Sequence, residues 1–183
     1  MRRLLLSSVS LVLVIGLAAA ADPAKKVEPG QPAPEFKIKG ADGKIIDLAE
    51  LTANGPVLLR LTCGCSGCDK ELAYFQAINE AYKKSGLTCV AVFKEPDEKM
   101  AKYAKEKQIK MLYAVDPKGE SWKVFQTKAM PVNFLIEKGG KITHIAAGCD
   151  PSGLLAKKVS EKAAKVVNAP AVDVKAKVDE KKK

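Results

Sequence analysis

The chain has 183 residues, with 31 Lys and Arg against 21 Asp and Glu, a formal net charge of +10 at pH 7, and only 5% aromatic residues. The basic residues are nearly all lysines scattered over helix faces and a terminal tail. Arg2, Arg3 and Arg60 are the only arginines, and no aromatic platform interleaves the charges, so a nucleic-acid-binding surface is excluded.

The first 21 residues read as a signal peptide: Arg2 and Arg3, an apolar run over 4–17, then the small residues Ala18, Ala19, Ala20 and Ala21. Cleavage there leaves 29 basic against 21 acidic residues, or +8. No cysteine lies near the cleavage site to make a lipoprotein, and the apolar run over 4–21 is short for a bilayer span, which needs about 20 residues. The expected location is periplasmic or secreted, an oxidising space; an uncleaved N-terminal anchor is the alternative, and only then would the protein touch a membrane.

Residues 22–33, rich in Pro, Lys and Gly, read as a linker, and 34–167 as one domain long enough for a full core. Within it, 36–39 and 44–47 flank Ala41-Asp42-Gly43 as a hairpin, and 48–53 forms a short helix ended by Gly55-Pro56. The run 57–62 is apolar enough for a strand buried on both faces. Leu72, Phe75, Ile78 and Tyr82 then mark a helix over 69–84, closed by Lys83, Lys84 and Gly86. A second buried strand covers 87–93, and helices are expected over 97–107 and 121–127. A strand pair, 132–136 and 141–147, precedes a last amphipathic helix from Ser152 with Leu154, Leu155, Val159 and Ala163 as its stripe. A βαβ crossover makes the 57–62 and 87–93 strands parallel, and the later hairpin must join them antiparallel. Residues 168–183 offer little apolar content to bury and read as a disordered Lys-rich tail, a loose tether to anionic surfaces.

Chemistry concentrates at Cys65-Ser66-Gly67-Cys68, at the turn from the 57–62 strand into the following helix. A helix N-terminus presents free N–H groups and partial positive charge, which favour thiolate over thiol. Cys65 is then placed to attack a disulfide and Cys68, one turn on, to resolve the mixed disulfide. A zinc half-site is the competing reading, but it needs a second ligand pair. The single histidine, His144, and the outlying Cys89 and Cys149 do not repeat the Cys-x-x-Cys pattern.

Four segments together resemble the thioredoxin-fold superfamily, in particular secreted thioredoxin-like and redoxin proteins of the AhpC/TSA and cytochrome-maturation reductase type. They are 30–36 (Gly-Gln-Pro-Ala-Pro-Glu-Phe), Cys65 to Cys68 followed by Glu71-Leu72, 129–136 around Met130-Pro131, and the Gly139-Gly140-Lys141 turn with Gly148. The resemblance implies an α/β thioredoxin-like fold, a central mixed β-sheet flanked by helices, with an added N-terminal hairpin. It implies a thiol–disulfide oxidoreductase acting on protein disulfides outside the cytoplasm, with no bound organic cofactor beyond a Cys65–Cys68 disulfide; a monomer is expected. An electron-donor or acceptor protein would be its partner. It further implies that Pro131 is cis and faces the Cys65 sulfur, with the backbone of Met130 pairing with substrate.

The chain departs from this pattern in several places. Gly64 stands where thioredoxins have tryptophan, and Leu59 where many have a buried acid; Glu95 is the candidate to move the proton instead. Arg60 lies mid-strand and, if buried, needs a partner. Cys63 and Cys149 are candidate auxiliaries that could exchange disulfides with Cys65 or complete a thiolate site for copper or zinc, whereas Cys89 reads as an inert core thiol and His144 as a strand residue. Two alternative functions follow, a peroxiredoxin-like peroxidase and a copper- or zinc-binding protein on the same fold. The first is disfavoured because no arginine follows the cysteines to hold peroxide and thiolate.

Overall fold

A computed structural model describes residues 26–181; the signal-peptide segment 1–21 and the start of the linker lie outside the described residues. Seven strands and six α-helices follow in the order β1 (Lys37–Lys39), β2 (Ile45–Asp47), α1 (Leu48–Asn54), β3 (Val57–Thr62), α2 (Ser66–Tyr82), β4 (Thr88–Phe93), α3 (Asp97–Glu106), β5 (Leu112–Val115), α4 (Glu120–Val124), β6 (Val132–Ile136), β7 (Ile142–Ala147), α5 (Leu154–Val166) and α6 (Val174–Glu180). The main sheet has the order β5-β4-β3-β6-β7, and β1-β2 forms a separate two-stranded sheet. Strands β3, β4 and β5 run parallel, while β6 and β7 join antiparallel. This is the mixed sheet with an added hairpin that the sequence predicts.

Period-two alternation in the central strands divides the core. Val57, Leu59 and Leu61 of β3, with Val90 and Val92 of β4, pack against Phe36, Ile46, Leu48, Trp122 and Phe125 on the hairpin, α1 and α4 side. Leu58, Cys89, Ala91 and Phe93 face the other way, onto Leu72, Phe75 and Ile78 of α2, Met100 of α3, and Val159 and Ala163 of α5. Leu59 therefore points away from α2 and the cysteines. Arg60, next along β3, is on the α2 side with its guanidinium 4.0 Å from the centroid of the Phe75 ring.

The structure differs from the sequence reading at two elements. An additional edge strand, β5, pairs with β4 and places Val90 opposite Leu112. The tail expected to be disordered instead folds back as α6, capped by Asp173, whose side chain accepts from the Ala176 N–H. Val174 and Val178, one helical turn apart, are buried in the α2/α5 core, and Tyr74 Oη donates to Asp179 at 2.8 Å. Upstream, the Val172 N–H donates to Tyr82 Oη at 2.9 Å and Ser160 Oγ to the Val172 carbonyl at 2.8 Å. Two buried valines at i, i+4, with the Tyr74–Asp179 hydrogen bond, seat this short helix.

Candidate active site

Strand register brings the site residues to one end of the sheet. Leu61 of β3 is opposite Val132 of β6, Val132 is opposite Ala147 of β7, and Thr62 is opposite Phe93 of β4. The segments that continue from these points are Cys63-Gly64-Cys65 after β3, Lys94-Glu95 after β4, Met130-Pro131 before β6 and Gly148-Cys149 after β7. Gly148 N–H donates to the Pro131 carbonyl at 2.9 Å, closing the β6/β7 end. The Met130-Pro131 bond is cis, and Met130 is 38% exposed. Cys89, opposite Leu58 near the start of both strands, is remote from this end and buried. His144 is opposite Leu135 within the β6/β7 pair.

Cys65 is the N-cap of α2, in extended conformation, and no side chain caps the helix. The Cys63 thiol is the largest influence holding the Cys65 pKa down at about 7, followed by the backbone N–H of Cys68, with that of Gly67 contributing less. Cys65 is exposed and Cys68 is buried, 4% accessible. The sulfurs of Cys63 and Cys68 are 3.5 Å apart, and those of Cys63, Cys65 and Cys68 all lie within 4.8 Å of one another. Burial, then the hydrogen bond to Cys65, pushes the Cys63 thiol up to about 12. All five cysteines are free thiols in this structure.

Beneath the cysteines is a buried charge network that the sequence reading left open. Arg60 Nη2 meets Glu71 Oε2 at 2.7 Å, with both side chains almost wholly out of water, and Arg60 Nη1 donates to Asn133 Oδ1 at 3.0 Å. The other Glu71 oxygen accepts from the Asp150 N–H at 2.8 Å. Asn133 in turn donates to the Ala146 carbonyl at 3.0 Å, so the network ties β3, β6, β7 and α2 together. Glu71 is three residues after Cys68, hence on the same helix face. A carboxylate oxygen of Glu71, the Cys68 sulfur and the Cys149 sulfur lie within 4.8 Å of one another. That charge, second to burial, raises the Cys149 thiol to about 11. The i, i+3 spacing from Cys68 was the available signal for Glu71.

Glu95 is held against the cysteine loop by two contacts. Its Oε1 accepts from the Gly64 N–H at 3.1 Å and its Oε2 pairs with Lys99 at 2.7 Å. These contacts, led by Lys99, lower its pKa below the usual carboxylate value, so it braces the loop carrying the cysteines. Gly67 has a different role: a Cβ there would lie 2.8 Å from Cys149 Sγ, so the residue between the two cysteines leaves room for Cys149.

An exposed, acidified thiol at a helix N-terminus, a buried thiol one turn on and a cis-proline at the same sheet end define a thiol–disulfide oxidoreductase of the thioredoxin-like class. The AhpC/TSA family model matches residues 29–145, and the chain belongs to that family. It is 30% identical over 125 residues to thiol-disulfide oxidoreductase ResA of Bacillus thuringiensis subsp. konkukian, covering 68% of this chain and 72% of the relative. Among solved structures, a Chlorobium tepidum protein described as a thiol:disulfide interchange protein DsbE superposes with a TM-score of 0.70 at 24% identity, over 78% of this chain and 99% of the other. Peroxidoxin BcpB of Mycobacterium tuberculosis superposes at 0.63 and 20% identity, over 78% and 97%. At these identities the two superpositions establish the shared fold alone.

Proposed function

We propose that Cys65 and Cys68 are the catalytic pair of an oxidoreductase that works on protein disulfides outside the cytoplasm. The observation that carries this reading is the exposed Cys65 sulfur at the α2 N-terminus, half ionised near pH 7, with buried Cys68 beside it. The Cys65 thiolate attacks a substrate disulfide R–S–S–R′, forming Cys65–S–S–R and releasing R′S⁻. Cys68 then gives up its proton and attacks the Cys65 sulfur; RS⁻ leaves and the Cys65–Cys68 disulfide remains. Glu71 has a carboxylate oxygen within 4.8 Å of the Cys68 sulfur and takes that proton, a role the sequence reading gave to Glu95. An extended substrate would pair with the backbone of exposed Met130, next to cis-Pro131.

The cycle needs no bound organic cofactor. It needs a second protein to return or remove two electrons, and the protein is taken to act as a monomer. The signal-like segment 1–21 supports an extracytoplasmic location; among the described residues no helix is long and apolar enough to cross a membrane. The peroxidase alternative has little support. Arg60, the one arginine among the described residues, is committed to Glu71 and Asn133.

Trapping tests the assignment. Cys68→Ser should accumulate a mixed disulfide through Cys65 with a peptide disulfide substrate, and Cys65→Ser should form none. A stable adduct through Cys63 or Cys149 in place of Cys65 would overturn it.

A further inference from the structure

We propose that the reduced site also binds one Cu(I) ion through the sulfurs of Cys63, Cys65 and Cys68. Thiol–disulfide exchange needs two sulfurs, and this site gathers three, each within 4.8 Å of the others and two of them 3.5 Å apart. Metal–sulfur bonds of about 2.3 Å in a trigonal plane place the sulfurs about 4 Å from one another, inside that range. Soft thiolates select Cu(I) from the first-row metals in a reducing setting.

The surroundings favour three-coordination over the four ligands of a structural zinc site. The only histidine is on β7 opposite Leu135. Cys149 groups with Cys68 and Glu71, not with Cys63 and Cys65. Both Glu71 oxygens already accept hydrogen bonds, from Arg60 and from the Asp150 N–H. Cys65 is exposed and Cys63 half-buried, so the ion would be at the rim, open to exchange with another thiol ligand.

Binding changes no oxidation state. Cu(I) enters, the thiols that are still protonated release their protons, and affinity rises with pH. A Cys65–Cys68 disulfide consumes two of the three ligands, so the oxidised protein is excluded from binding. This inference stands apart from the oxidoreductase assignment, because a glutathione titration of the metal-free protein reads the dithiol couple separately.

The test is an anaerobic titration of the reduced mature protein with Cu(I) in competition with bicinchoninate, together with X-ray absorption at the copper edge. One equivalent bound with three sulfur neighbours is expected. Cys63→Ser should weaken binding at least 100-fold, while Cys149→Ser and the natural protein bind alike. Two sulfur neighbours in the natural protein, or an unchanged affinity in Cys63→Ser, would overturn the proposal. So would loss of affinity in Cys149→Ser, or Zn(II) displacing Cu(I) at equal concentration.

Discussion

Arg60 of β3 and Glu71 of α2 meet at 2.7 Å with 4% and 0% of their side chains exposed, directly beneath the cysteines. The pair occupies the α2-facing side of the sheet, where Leu59, one residue earlier, faces the opposite core. Phe75 covers the guanidinium, Asn133 accepts a second hydrogen bond from it, and the Asp150 N–H donates to the other Glu71 oxygen. A buried ion pair so well satisfied adds little net stability, but it is costly to break from one side. Its second effect is to fix a carboxylate within reach of Cys68 and Cys149.

Arg60→Met should therefore lower stability by about 3–5 kcal/mol, because Glu71 is left charged and unpaired in the core. Adding Glu71→Gln, which keeps an acceptor for the Asp150 N–H, should recover a large part of that loss. Urea unfolding of the two single variants and the double variant measures the coupling. Additive losses would show that the pair does not act as a unit.

Alkylation kinetics should single out Cys65. Its pKa is depressed to about 7, so it is mostly thiol below that pH and mostly thiolate above it. The iodoacetamide rate at Cys65 should rise about tenfold per pH unit up to pH 7 and then level off. Cys149, raised to about 11, and Cys89, raised by burial to about 12, should remain slow throughout. Cys63→Ala removes the largest cause of the depression and should move the Cys65 midpoint upward, as followed by peptide mapping of the alkylated sites.

Gly67 and Cys149 should show opposite-sign coupling. Alanine is the better helix former by up to about 1 kcal/mol, but in the natural protein its Cβ would come within 2.8 Å of Cys149 Sγ. Gly67→Ala is thus expected to stabilise the Cys149→Ala background and to give no gain in the natural one. Thermal unfolding of the four proteins in this cycle is the measurement.

Val174→Ala should cost about 2 kcal/mol, since two buried methyl-sized groups are lost from a packed site. If 168–183 were a loose tail, the same change would leave the denaturant midpoint where it was.

Much of this architecture is local and was readable. The buried run of β3, the 3.6-residue spacing of Leu72, Phe75, Ile78 and Tyr82, and the Cys-x-x-Cys turn between them all lie within thirty residues of chain. What was hidden depends on partners distant in sequence. The Leu112–Val115 strand alternates poorly, with Leu112 exposed and Ala114 buried, so it becomes a strand only through its pairing with β4. In α6 the Lys-rich composition masked Val174 and Val178, whose i, i+4 spacing was the only sign of a docked face. Arg60 announced a need for a partner, but identifying it as Glu71 requires knowing that even positions of β3 face α2. Cys149 was legible as an auxiliary, because the 132–136 and 141–147 strand pair carries it to the cysteine end of the sheet; its grouping with Cys68 and Glu71, not with Cys65, depends on how α2 packs there.

The most direct test of the central claim is a glutathione redox titration of the mature, metal-free protein, with peptide mapping of each disulfide. The account predicts a single reversible two-electron couple in which Cys65 and Cys68 are joined while Cys63, Cys89 and Cys149 stay reduced. A Cys63–Cys68 or Cys68–Cys149 disulfide as the principal oxidised form, or no reversible couple at all, would contradict it.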